Sequence, residues 1–75
     1  MKIRIEYCGM WNYEPKASRL EEEIKNVYSD AQITLDESNG GVFEVELNNE
    51  LIFSKFKLNR FPDDGEIIEK IKSKL

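Results

Sequence analysis

The stretch Lys2–Lys16, K-I-R-I-E-Y-C-G-M-W-N-Y-E-P-K, decides the fold, because its periodicity changes partway along. Ile3, Ile5 and Tyr7 alternate with Lys2, Arg4 and Glu6. A period of two with one apolar face is the pattern of a half-buried strand. Beyond Tyr13 the period lengthens. Pro15 suits the first turn of a helix, where its missing N–H costs nothing. Ala17, Leu20, Ile24, Val27 and Tyr28 then recur at steps of three and four and make one apolar helix face. The chain therefore opens with a strand, a loop and a helix. Ser29-Asp30 ends that helix.

The rest follows from this start. Gln32–Asp36 (Q-I-T-L-D) reads as a second strand, so strand, helix and strand form a right-handed parallel crossover. Glu37-Ser38-Asn39-Gly40-Gly41 reads as a turn. Val42–Asn48 alternates again, with Phe43, Val45 and Leu47 inward. Asn48-Asn49 suits a left-handed hairpin turn, and Leu51–Phe56 returns as the partner strand. After Phe61-Pro62, Asp63 and Glu66 have capping-box spacing. Ile67, Ile68, Ile71 and Leu75 line a last helix. The expected fold is α/β, with the order β-α-β-β-β-α over a single domain, residues 1–75. Charges fill the alternate positions of the first and third strands. Both helices are therefore expected on one face of a four-stranded mixed sheet. If the first and third strands are neighbours, Lys2 and Arg4 lie near Glu44 and Glu46 on the open face.

Composition removes most function classes. The net charge of −4 argues against a nucleic-acid partner. With no histidine, Ser-His-Asp and Cys-His chemistry and the commonest metal ligand are gone. One cysteine makes neither an internal disulfide nor a zinc site. The fifteen carboxylates show no calcium-loop pattern. No metal and no cofactor is expected. The alternating first residues do not read as a signal peptide, and no apolar run reaches the ~20 residues of a membrane span. The expectation is a cytoplasmic protein with no membrane partner.

What remains is one thiol. Cys8 stands between the first strand and the first helix, three residues before the single tryptophan, Trp11. A helix N-terminus stabilises a thiolate, the reactive form. Pro15 puts the helix start several residues later, and Glu6 and Glu14 oppose ionisation. The thiol is expected to be partly exposed in the loop. A small buried apolar residue is the competing reading of Cys8. Tyr7 and Tyr13 read as packing residues.

Three segments resemble the selenoprotein W (Rdx) family, a thioredoxin-like group. Y-C-G-M-W-N-Y (Tyr7–Tyr13) is similar to its Tyr-Cys-x-x-Cys or Tyr-Cys-x-x-selenocysteine segment. G-G-V-F-E-V-E-L-N-N-E-L-I-F-S-K (Gly40–Lys55) resembles its G-x-F-E-V hairpin. N-R-F-P-D-D-G-E-I (Asn59–Ile67) resembles the entry to its last helix. The resemblance implies the thioredoxin-like version of the fold already read from periodicity. It also implies that Cys8 is the attacking thiol, exchanging with protein thiols or small thiols as a thiol–disulfide oxidoreductase does. Trp11 falls where the family has its second redox residue, so no disulfide can close within this chain. Two readings of Trp11 stand side by side. Either it is native and packs over the loop, or selenocysteine occupies the position natively, its UGA codon one base from UGG. Two alternatives to redox exchange also follow from the resemblance. One is a non-enzymatic module that docks a protein partner, the other a selenium or persulfide carrier on Cys8.

Overall fold

In the computed structural model, which describes residues 1–75, the first strand keeps its alternation until its end. Strand β1 (Lys2–Cys8) buries Ile3, Ile5 and Tyr7, and then buries Cys8 as well. Helix α1 (Glu14–Val27) follows, with Pro15 in its first turn and Ala17, Leu20 and Ile24 buried. Strand β2 (Gln32–Ser38) pairs parallel to β1 in register from Lys2–Gln32 to Cys8–Ser38. It is two residues longer than its sequence suggests. Glu37 and Ser38, which have turn-like composition, are held extended by pairing with the end of β1, and tertiary pairing outweighs such weak local preference.

Strand β3 (Phe43–Leu47) runs antiparallel to β1, and β4 (Glu50–Ser54) antiparallel to β3. The sheet order is β2-β1-β3-β4. Asn48 and Asn49 both take positive φ, 49° and 72°, in the two-residue turn between β3 and β4. That geometry matches the twist of the flanking strands.

The predicted last strand ends early. Ser54 closes β4, and Lys55–Leu58 forms one turn of helix, α2. The Ser54 hydroxyl accepts the Lys57 N–H at 3.2 Å, and Asn59 ends the turn in the left-handed region. A serine cap and an Asn terminator explain why the alternation of L-I-F-S-K-F is abandoned there. Phe56 is consequently 89% exposed. Helix α3 (Glu66–Lys74) buries Ile67 and Ile71, whereas Leu75 and, in α1, Val27 lie at the helix ends and stay exposed.

The core is formed by β1, β3 and β4 residues under α1 and α3: Ile3, Ile5, Phe43, Val45, Leu20, Ile24, Ile67 and Ile71 among them. The opposite face carries charge. Arg4 is the hub, bonded to Asp36 (2.9 and 2.7 Å) and Glu46 (3.1 Å), with Glu6 at 3.6 Å. Its guanidinium holds its proton more tightly than usual, mainly through the Asp36 hydrogen bond. The expected Arg4–Glu46 proximity is present. Lys2 instead meets Asn48, its backbone N–H donating to Oδ1 at 2.9 Å, and Glu44 accepts from the Ser54 hydroxyl at 2.6 Å.

Candidate functional site

The strand end that holds Cys8 is tied on both sides. The Cys8 N–H donates to the Val42 carbonyl (2.9 Å) and the Gly9 N–H to the Ser38 carbonyl (3.1 Å). Two sheet neighbours thus carry β1 one residue past Tyr7, and Cys8 is its last residue. The loop then folds back. Asn12 N–H donates to Gly9 O and Tyr13 N–H to Cys8 O, both at 3.1 Å. Asn12 adopts φ 62°, which Asn tolerates better than most residues.

The consequence corrects the expectation of a partly exposed loop thiol: Cys8 is fully buried. It does not belong to the hydrophobic core cluster. Helix α1 begins only at Glu14, six residues on in sequence from Cys8.

Trp11 lies in the same loop. It is 60% exposed, and Met10 beside it 87%. The indole rests on the turn before β3. A Cβ added to Gly41 would stand 2.8 Å from its Cζ3 and 3.0 Å from its Cε3. Gly41 itself is buried with φ 74°. At Gly9 the loop meets strand β2 instead, where an added Cβ would fall on the Glu37 side chain.

A row of aromatic rings extends from the loop into the core. Trp11 meets Tyr13 edge-on at 6.1 Å, Tyr13 meets Phe61 at 4.8 Å, and Phe61 meets Phe43 at 5.3 Å. The Lys16 ammonium sits 4.5 Å from the Phe61 ring centre, and Lys55 5.5 Å from both Tyr13 and Phe61. Tyr7 and Tyr13 are packing residues, as the sequence suggested. Burial, then the nearby Glu37, Glu14 and Asp36, push the Tyr7 phenol above its ordinary range, so it stays protonated. Lys55 and Glu37 were not anticipated. Lys55 arrives only because α2 interrupts the fourth strand, and Glu37 only because β2 runs on beside β1. No group of three or more His, Cys, Asp or Glu is placed to hold a metal ion.

The model of the Rdx family matches residues 2–73. The chain belongs to the Rdx family. Among curated relatives, migration and invasion enhancer 1 of Bos taurus is 32% identical over 72 residues, which cover 96% of this chain and 63% of that protein. Selenoprotein W of Danio rerio is 31% identical over 74 residues, covering 95% and 86%. The chain thus spans less than two thirds of the length of the first of these family members. Solved structures share the thioredoxin-like α/β fold. A selenoprotein W-related protein from Vibrio cholerae superposes with a TM-score of 0.88 at 23% identity, over 96% of this chain and 92% of that one. A protein from Bordetella parapertussis reaches 0.93 at 21% identity, over 99% and 96%. Family membership suggests a redox-related role. No helix is long and apolar enough to cross a membrane.

Proposed function

We propose that this Rdx protein exchanges disulfides through Cys8. The observation that carries the reading is the position of the thiol at the head of the loop between β1 and α1, within a family match that spans nearly the whole chain. The Cys8 thiolate attacks a disulfide R–S–S–R, forming Cys8–S–S–R and expelling R–S⁻. A second thiolate R′–S⁻ then attacks the adduct, releasing R–S–S–R′ and restoring Cys8. Protein thiols and small thiols are the substrate class. With Trp11 at the second position, the resolving thiol is external. A native UGA codon at position 11 would make that residue an internal resolving selenol, and sequencing the natural codon decides between the two. The enzymatic test is mass spectrometry after mild oxidation with excess small thiol. An adduct on Cys8, absent in Cys8→Ser, supports exchange. A thiol that remains free until denaturation overturns it.

The complete burial of Cys8 favours a second reading, a protein-interaction module that uses the loop and the charged sheet face. Here Cys8→Ser keeps partner binding, while Arg4→Glu or Glu44→Lys abolishes it. Loss of partners in the cysteine variant alone overturns the module.

A further inference from the structure

The sheet ends in two edges, β2 and β4. β4 is a poor template for another strand. It has five residues, its register breaks between Val45 and Glu46, and α2 cuts it off after Ser54. Short length and a bulge are usual means of protecting an edge. β2 has neither. Its seven residues follow β1 in unbroken register. At its ends the Gln32 N–H donates to the Met1 carbonyl (3.0 Å) and the Ser38 carbonyl accepts the Gly9 N–H (3.1 Å). Alternate residues of a strand turn their backbone groups to the same side, so Gln32, Thr34, Asp36 and Ser38 face β1. Ile33, Leu35 and Glu37 turn theirs outward, and no turn, loop or cap bond takes them.

We infer that a second copy of this chain docks on this edge, β2 against β2, antiparallel about a dyad at Thr34. The side chains select that register. Ile33 faces Leu35 of the second copy, and the two exchange both backbone hydrogen bonds. Both are half-buried apolar residues packed against the core, so the pair extends the apolar side of the sheet. Thr34 meets Thr34 at the dyad, in the kind of pair where side chains come closest. Gln32 meets Asp36. Arg4 takes only Oδ2 of Asp36, so Oδ1 is free to accept from the Gln32 amide of the other copy. No like charges meet across these five positions. A dyad at Leu35 would set Ile33 against Glu37, and one at Ile33 would set Asp36 against Asp30. The contact is isologous and closes on itself. It joins the two sheets into one, with the helices of both copies on the same side.

The full chain is studied in reducing buffer, so that no disulfide contributes, by sedimentation velocity over a concentration series reaching about 1 mM. Its mass is expected to rise from monomer toward dimer. Thr34→Glu sets two carboxylates together at the dyad and is expected to weaken association about tenfold or more. Thr34 is exposed and lies beside Arg4 in the sheet, so the urea midpoint of the dilute variant should match that of dilute wild type. Amide hydrogen exchange reads the register. The Ile33 and Leu35 amides should exchange freely in dilute samples and slow as the dimer forms. The Thr34 and Asp36 amides, turned to β1, should be slow at every concentration.

A chain that stays monomeric to the highest concentration overturns the proposal and leaves the β2 edge to an extended segment of another protein. A dimer that Thr34→Glu does not weaken, or one that forms without slowing the Ile33 and Leu35 amides, places the interface elsewhere and overturns it as well.

Discussion

Arg60 grips Glu66 with two prongs, Nη1 to Oε1 at 2.7 Å and Nη2 to Oε2 at 2.9 Å. The same Oε1 accepts the Asp63 N–H at 2.9 Å. The pair closes the segment between α2 and α3, the segment that carries Phe61 to the aromatic row. It also replaces what the sequence suggested. Asp63 supplies no side-chain cap; the Glu66 half of the capping box forms and the Asp63 half does not. The helix is entered instead through Gly65, at φ 80°.

The Arg60 hydrogen bond is the largest of the effects that lower the Glu66 pKa from 4.5 to about 2. A carboxylate depressed in the folded state contributes stability that is complete above its unfolded value and lost as pH falls through the folded one. The window is therefore about pH 5 down to 2. The ion pair lies at the surface, so screening reduces its effect to about 1 kcal/mol. Glu66→Gln should lower stability by about that much at neutral pH and flatten the decline between pH 5 and 2. Urea midpoints measured across that range check it. An unchanged acid slope in Glu66→Gln would show that other carboxylates govern it.

The core and the exposed aromatic should behave as opposites. Ile5 and Ile67 have no exposed surface, while Phe56 is 89% exposed. Ile5→Ala or Ile67→Ala leaves a cavity and should cost about 2–4 kcal/mol. In a domain this small that is a large part of the total. Phe56→Ala should change stability by less than about 0.5 kcal/mol. Thermal or urea unfolding of the three variants tests the contrast, and a costly Phe56→Ala would mean the residue is covered in solution.

Much of this was legible in advance, because each strand that alternates and each helix with an apolar stripe was read from one face of one element. Ile3, Ile5, Phe43, Val45, Leu20, Ile24, Ile67 and Ile71 are examples. The failures lie where two elements decide together. β2 extends through Glu37-Ser38 because β1 lies beside it. Leu51–Phe56 breaks because Ser54 caps a turn. Cys8 is held in β1 by the Val42 carbonyl, thirty-four residues on in sequence, and is buried there. Local composition carries none of these contacts. The same holds for Lys55, whose place beside Tyr13 follows from the unexpected turn.

The hairpin turn gives a backbone test. Asn49 sits at φ 72°, a region a β-branched side chain resists. Asn49→Ile should cost about 1–3 kcal/mol, and Asn49→Gly should be neutral or slightly stabilising. Stability of the pair by urea unfolding checks it. Equal stability of the two variants would mean that the turn relaxes to another type.

Ser54 and Glu44 give a test by double substitution. Ser54 is buried, and its hydroxyl both accepts from the Lys57 N–H and donates to Glu44 Oε1. The other carboxylate oxygen of Glu44 is buried without a hydrogen-bond partner. Ser54→Ala therefore removes the cap of α2 and takes the donor from a carboxylate that already has one oxygen unsatisfied. The two losses should cost about 2–3 kcal/mol together. Glu44→Leu alone leaves the hydroxyl free to turn and serve only the cap, so its cost should be small. In the double variant the carboxylate penalty vanishes and only the lost cap remains, about 1 kcal/mol. The coupling between the sites should then be about 1–2 kcal/mol, read from urea midpoints of the four proteins. Additive costs would show that the Ser54–Glu44 hydrogen bond contributes nothing in solution and that water reaches the carboxylate.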